Sequence, residues 1–426
     1  MTRVICVPQQ MLPRQLERGT VYYSMFTPSQ RHDVGSVATG LLDDLEFKGV
    51  YPSVAAWDFA TFAMAVGASD LAVQRAGSAD GWTRVIELTV ALQNPVPFIA
   101  QKQNIEEMLR FLTGDFWNLT FLAGGRVRPQ STAPARFDAD CVCLLSGGMD
   151  SLVGAIDLTA WGKKPLFVSQ LVKGNQEDQH HFARRLGGAD RHLLWNINVR
   201  KSQVQPIEHE LSTRARSIIF YGFAAMAASA LPDIDPLYVY VPENGFISLN
   251  IPLNPGRMGS LSTKTTHPVF LKHLQTLWDG LGMGVKFHTP YKHMTKGEVL
   301  IGCRDQRKMD QLMPRTTSCG KYGRLNMQCG RCLPCLVRKA AFFKANKLDP
   351  TSHYFYGTLQ EATPSGNAND TNAIAIAYLR YRSEGIRSLA AGALTFADPS
   401  ERAAYERVVE AGISELGVYL EHEGII

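Results

Sequence analysis

Apolar residues change their spacing near residue 140 of this chain, and that change is the first guide to its organisation. Before it, VYYSMF (21–26), TRVIELTVAL (83–92) and PVPFIA (95–100) are rich in residues that favour strands. NIEEMLRFLTGDFW reads as a helix, because Ile105, Met108, Leu109 and Leu112 recur at helical spacing. Residues 124–140 are rich in Gly, Pro, Ser, Thr and Ala, lack periodicity and read as a linker. Beyond them short apolar strands alternate with longer helical segments: CVCLL, SLVGAIDLTAW, PLFVSQL, NQEDQHHFARRLG and RHLLWNINV. That alternation predicts a parallel sheet covered on both faces. A long helix is expected over roughly 205–231, then the strand PLYVYV (236–241) and the segment PVFLKHLQTLW. The tail holds two helical patterns, NAIAIAYLRYRSEG and PSERAAYERVVEAGISEL, the second opening with Pro399, Ser400 and Glu401 as its cap. No internal repeat is visible. The expected layout is an N-terminal α+β domain (1–135), a parallel α/β core (139–345) and a helical C-terminal extension (346–426).

Composition narrows the class. With 426 residues, 45% of them hydrophobic and 19% charged, the chain can bury two or three cores. No apolar run approaches about 18 residues and MTRVICVPQQ lacks the marks of a secretory signal, so a cytoplasmic protein without membrane contact is expected. The net charge of +5 is too mild to argue for nucleic acid. Between Cys303 and Lys344, however, ten Lys or Arg face only Asp305 and Asp310. That field suits an anionic substrate or an acidic partner surface, and it also fits a solvated basic face. Of eight cysteines, four crowd between Cys319 and Cys335, too tightly for a disulfide framework. The others, Cys6, Cys141, Cys143 and Cys303, are not read as catalytic.

Two motifs carry chemistry. The strand CVCLL runs into Ser146-Gly147-Gly148-Met149-Asp150-Ser151, with a helix expected at once. Glycines let the backbone turn sharply and approach a ligand, and a helix start offers unpaired N–H groups and the positive dipole end. Ser146 and Ser151 add hydroxyl donors, and Asp150 either holds the loop or helps position Mg²⁺. The second motif is C-x9-C-G-R-C-x2-C, with Cys319, Cys329, Cys332 and Cys335 as ligands. Four thiolates close a tetrahedron and leave no open position, so a structural Zn²⁺ is expected, with an iron–sulfur cluster as the alternative.

The hexapeptide resembles the SGGxDS signature of PP-loop ATP pyrophosphatases, an adenine nucleotide alpha hydrolase-like fold. The resemblance implies that ATP is cleaved between its α- and β-phosphates and AMP is transferred to a substrate. Joined to the cysteine spacing, to TPYKHMTKGEVL (289–300) and to STRARSIIFYGFAAMAA (212–228), it is similar to the QueC family of 7-cyano-7-deazaguanine synthases over roughly residues 139–345. Such kinship implies adenylation and amidation of a 7-carboxy-7-deazaguanine. The segment PENGFISLNIPLNPGRMGSLSTKTTHP departs from the family's substrate loop, and both flanking regions lack counterparts in its compact members. This layout is similar to QatC, the QueC-like component of the Qat anti-phage defence systems, which implies defence partners and a protein amine as an acceptor besides ammonia.

Roles follow from those expectations. Lys296 and then Arg216 are candidates to stabilise departing pyrophosphate, and each is also readable as a surface charge. The edge of the second core strand, at Val168, Ser169 and Gln170, is expected to meet adenine. Glu243, just past PLYVYV, is placed to accept two hydrogen bonds from a guanine-like ring, with Asn244, Thr265 and Thr266 in the same pocket. His267 before Pro268 also suits a helix entry, and His180 and His181 suit a polar helix face. Competing readings are a tRNA-base-modifying PP-loop enzyme and a nucleotide-binding scaffold of a defence complex.

Overall fold

The computed structural model describes every residue except 172–175, 205–209, 254–263 and 361–369. Part of the long helix expected over 205–231 and part of the departing substrate loop therefore lie outside the described residues. The first sheet contains β1 (Thr2–Val7), β2 (Thr20–Met25), β3 (Gly35–Val37), β4 (Val85–Leu92) and β5 (Phe116–Ala123). The second contains β6 (Cys141–Leu144), β7 (Pro165–Gln170), β8 (His192–Trp195), β10 (Leu237–Tyr240) and β11 (Val285–His288). A short β9 (Val199–Arg200) follows β8 in sequence but pairs antiparallel with β3 of the first sheet.

Strand order is β5-β4-β1-β2-β3-β9 in one sheet and β11-β10-β6-β7-β8 in the other. Setting β9 aside, both sheets follow the same order by rank, fifth, fourth, first, second, third, and every pair is parallel. The chain thus carries a repeat of topology that its sequence does not display. The N-terminal region, expected as α+β, is corrected: its own five strands run parallel.

Two helices lie between the sheets. Val54–Ala72 packs on the first sheet, and Ile218–Ala228 packs on β6, β7 and β10 of the second. The Val54–Ala72 helix is apolar on nearly every side, so periodicity could not reveal it, and Ser53 caps it by accepting from Ala56 N at 3.2 Å. The two helices meet through small residues: a Cβ on Gly222 would lie 3.2 Å from Ala60 Cα and 3.3 Å from Ala63 Cβ. One hydrophobic core therefore runs through both sheets, from Val4 and Leu88 to Val142 and Val168. The opposite face of the second sheet, with Cys143 and Phe167, packs a separate core under the helices Met149–Ala160 and Gln176–Arg185. Alternate strand residues feeding two cores is what a sheet covered on both faces requires.

Several local expectations are corrected. PVPFIA forms no strand: Val96–Ala100 is a short helix, started by Pro95 and held by Asp58, which accepts from Gln93 N at 2.8 Å and Asn94 N at 2.7 Å. Phe116 and Trp117 leave the helix Lys102–Thr113 after left-handed Gly114 and open β5. The long helix begins only at Ile218, because Asp70 accepts from Arg214 N and Ala215 N at 2.6 Å each and fixes that stretch as a loop. In the tail, Asp370–Glu384 and Pro399–His422 are helical. The N-cap of the latter is Asp398, and Glu401 instead pairs with Lys292 at 2.5 Å. These tail helices pack on Leu333–Lys344 and on the short helix Gly245–Leu249.

Candidate active site and cysteine knuckle

β6 delivers Leu145 and Ser146 to a turn in which Gly147 takes a φ of 88°, a left-handed conformation suited to glycine. Gly148 then becomes the N-cap of Met149–Ala160. Ser146 Oγ donates to Ser151 Oγ at 3.0 Å and accepts from Gly148 N at 3.3 Å, while Ser151 Oγ donates to Gly148 O at 3.0 Å. The hydroxyls thus brace the turn from within. At the N-terminus of a 12-residue helix they leave a concentration of N–H groups suited to phosphate.

Asp150 is buried behind this turn. Its Oδ2 accepts from Lys296 Nζ at 2.6 Å and from Asn244 Nδ2 at 3.1 Å, and the Glu243 carboxyl shares a hydrogen bond with it. Burial opposes the Asp150 charge, but the Lys296 ammonium and hydrogen bonds outweigh it and hold the carboxyl below its ordinary range. Lys296 opens the helix Lys296–Gly302, which begins with a capping box: Thr295 Oγ1 accepts from Glu298 N at 3.1 Å and Glu298 Oε2 accepts from Thr295 N at 2.8 Å. Asn244 does double service. Its Oδ1 accepts from Ile247 N at 3.0 Å as the cap of Gly245–Leu249, and its amide donates to Asp150 and to Glu243 Oε1 at 3.1 Å.

Glu243 joins this cluster in an environment that disfavours its charge. Burial, followed by the adjacent Asp150 charge, pushes its carboxyl well above the ordinary range. Its carboxyl therefore holds a proton more tightly than an exposed carboxylate would, which works against the acceptor-only role the sequence suggests.

The four knuckle thiols gather within 4.8 Å of one another, all buried. Cys329 Sγ lies 3.9 Å from Cys335 Sγ, and Cys332 Sγ 3.8 Å from Cys319 Sγ. A tetrahedron with metal–sulfur bonds of about 2.3 Å has edges of about 3.8 Å, so the set fits a zinc ion. Outer support is present: Cys319 Sγ accepts from Lys321 N and Cys329 N, and Cys329 Sγ from Cys332 N at 3.3 Å. The knuckle also touches the loop. Thr317 N donates to Gly147 O at 3.1 Å, and fully buried Arg338, on the helix that carries Cys335, donates to Thr316 Oγ1 at 2.7 Å.

Comparison with known proteins agrees with this arrangement. The family described as queuosine biosynthesis protein QueC matches residues 265–346, the stretch holding Lys296 and all four cysteines. The chain is an enzyme similar to the QueC family over that stretch. A 7-cyano-7-deazaguanine synthase of Geotalea uraniireducens is 27% identical over 233 residues, covering 50% of this chain and 96% of that protein. A second, from Polynucleobacter asymbioticus, is 24% identical and covers 53% and 96%. A third, from Syntrophobacter fumaroxidans, is 28% identical over 32% of this chain and 46% of its own length. No solved structure matches. Roughly half of the chain therefore lies outside the first two relatives, and no helix among the described residues is long and apolar enough to cross a membrane.

Other sequence candidates fall in several places. Val168 and Ser169 are fully buried and Gln170 is half-buried at the end of β7. Thr265 and Thr266 bond to neighbouring hydroxyls: Thr265 Oγ1 donates to Ser217 Oγ at 2.7 Å, and Ser248 Oγ meets Thr266 Oγ1 at 3.1 Å. His267 is a helix entry, its Nδ1 accepting from Val269 N at 3.1 Å, and burial pushes its pKa down to about 3. Arg216 is exposed, and no hydrogen bond or ion pair among the described residues ties it to the loop. His180 is exposed and meets the half-buried His192 at 3.2 Å.

One contributor escaped the sequence reading. Gln179 is completely buried and donates to Ser146 O at 3.0 Å and Gln170 O at 3.2 Å, joining the loop to the end of β7. Its spacing from Phe182 and Ala183 put it on the apolar face of an otherwise polar helix, and that was the available signal.

Proposed function

We propose that this protein is a PP-loop ATP pyrophosphatase that activates the carboxylate of a 7-carboxy-7-deazaguanine-like molecule and passes it to an amine. A carboxylate oxygen attacks the α-phosphorus of ATP, the bond to the bridging β-phosphate oxygen breaks, and pyrophosphate leaves. The amine then attacks the acyl carbon, AMP departs, and an amide forms. In this reading Ser146, Gly147, Gly148 and Ser151 bind phosphate, and Val168 and Gln170 border the adenine. Lys296 moderates charge at the loop, while Glu243, Asn244, Thr265 and Thr266 contact the deazaguanine. The Asp150 carboxylate, held beside the loop, suits Mg²⁺, which when bound would neutralise charge on the polyphosphate.

The observation that supports the reading is the 2.6 Å ion pair between Asp150 of SGGMDS and Lys296 of the QueC-matched stretch. Two motifs far apart in sequence meet at one charge centre. The division at residues 135, 139, 345 and 346 follows the same reading, with both flanks as additions to a catalytic core. Their resemblance in layout to defence-system proteins makes ammonia or a partner protein's amine the acceptor, in the cytoplasm.

The test incubates protein with ATP, Mg²⁺ and 7-carboxy-7-deazaguanine, and follows AMP and product mass. Substrate-dependent AMP release is expected, abolished by Asp150→Ala. Absence of turnover with every amine supplied would sink the deazaguanine assignment.

A further inference from the structure

Lys296 is already ion-paired with Asp150, so a pyrophosphate leaving the loop needs a second positive charge to meet it. Two further elements hydrogen-bond to the backbone of the loop. One is the segment entering the cysteine knuckle, through Thr317 N and Gly147 O at 3.1 Å. The other is the helix Gln176–Arg185, through Gln179 Nε2 and Ser146 O at 3.0 Å. Arg315, two residues before Thr317, and Asp178, next to Gln179, close the gap between them: Arg315 Nε donates to Asp178 Oδ1 at 2.7 Å.

That bond leaves much of the guanidinium uncommitted. The Arg315 side chain is 44% exposed, and its two terminal nitrogens have no hydrogen bond among the described residues. A guanidinium anchored through Nε presents its terminal N–H groups as a planar fork, the geometry that grips phosphate in bidentate fashion. Hydroxyls accompany it. Ser318 N donates to Gln328 Oε1 at 3.1 Å, while Ser318 Oγ is buried without a partner.

We propose that Arg315, with Thr317 and Ser318, forms the second wall of the polyphosphate site, the Arg315 guanidinium binding the β- and γ-phosphates of ATP and the pyrophosphate that leaves. The inference rests on the ATP-cleaving reading above and adds the cation that Arg216, exposed elsewhere, does not supply. It also gives the basic stretch at 303–344 a local purpose. The knuckle then shapes the phosphate site, because Cys319 follows Ser318 directly and fixes where Arg315 enters.

Calorimetric titration with ATP, pyrophosphate and AMP, without acyl substrate, tests it on Arg315→Ala, Arg315→Lys and Asp178→Ala. Arg315→Ala is expected to weaken ATP and pyrophosphate binding on the order of tenfold to a hundredfold while AMP affinity holds. Arg315→Lys should recover part of the loss, and Asp178→Ala, which removes the anchor but keeps the cation, should lose less ATP affinity than Arg315→Ala. An equal loss of AMP affinity, a matching loss in Asp178→Ala, or unchanged ATP binding in Arg315→Ala would each overturn the proposal. Wild-type protein that binds neither ATP nor pyrophosphate would instead bring down the ATP-cleaving reading itself, whereas failure of the deazaguanine assignment alone leaves these titrations unaffected.

Discussion

The sheet of residues 2–123 and the sheet of residues 141–288 run through the same strand order, yet their first strands end differently. β6 enters a glycine turn that opens a 12-residue helix. β1 enters Pro8, which has no N–H, and then only the 3-10 turn Gln9–Met11. The first sheet therefore offers no fan of N–H groups where the second offers several. Coverage differs as well. Helices bury the outer face of the second sheet, while the first bears Arg3 in ion pairs with Glu17 at 2.6 Å and Glu87 at 3.3 Å. A shared topology thus supplies a scaffold twice and a helix-opening glycine turn once, since a candidate anion site depends on the turn that leaves the strand rather than on the strand itself.

The largest test of this contrast is chemical. Lys296→Ala should lower substrate-dependent AMP formation at least about a hundredfold, whereas Gln9→Ala, at the corresponding point of the first sheet, should leave it unchanged. An AMP-release assay on the pair decides it; equal effects would mean that both sheets serve the reaction. Next comes the seam between the sheets. Gly222→Leu pushes a side chain into Ala60 and Ala63, and should cost about 1–3 kcal/mol. Because one core crosses that seam, denaturant unfolding followed separately by far-ultraviolet dichroism and by tryptophan fluorescence should give coincident transitions. Separate transitions would show the two sheets to be independent units.

The smallest effect concerns pH and the C-terminal extension, whose helix Pro399–His422 grips an element of the second half. Burial raises the Glu415 pKa to about 7 from its ordinary 4.5, with Thr295, Glu298 and Lys344 facing it. Between those values the folded protein holds a proton that the unfolded chain has lost, so stability falls as pH rises from about 4.5 to 7 and levels off above. Glu415→Gln should flatten that fall, leaving the variant more stable than wild type at pH 8 by about 1–3 kcal/mol relative to their difference at pH 5. Chemical denaturation at the two pH values measures it, and parallel pH profiles would remove Glu415 as the cause.

The features legible in the sequence were local ones. SGGMDS and the cysteine spacing each lie within a few turns of chain, and their chemistry follows from residues that stay neighbours after folding. The alternation after residue 140 likewise marked every strand of the second sheet except β11, whose VKFH is too short and too polar to stand out. Long-range capture was hidden. Asp70 unwinds residues 214 and 215 from a distance of 144 positions, and Arg315 finds Asp178 across 137. The helix Val54–Ala72 was hidden for the opposite reason: with polar contrast missing around its circumference, it has no period to detect. The common strand order was invisible because topology constrains connections rather than residue types.

The grip of the tail on Lys296–Gly302 bears on how such enzymes can be cut and recombined. Thr295 Oγ1 donates to Glu415 at 2.5 Å, Arg407 to Glu298 at 2.5 Å, and a Cβ on Gly297 would meet Glu415 Oε2 at 2.9 Å. A fragment ending at residue 345 would retain SGGMDS, Lys296 and the four cysteines, yet lose the struts that orient the lysine's helix. Recognisable motifs and a transplantable part are then different things: in this protein the smallest interchangeable piece includes the helix Pro399–His422.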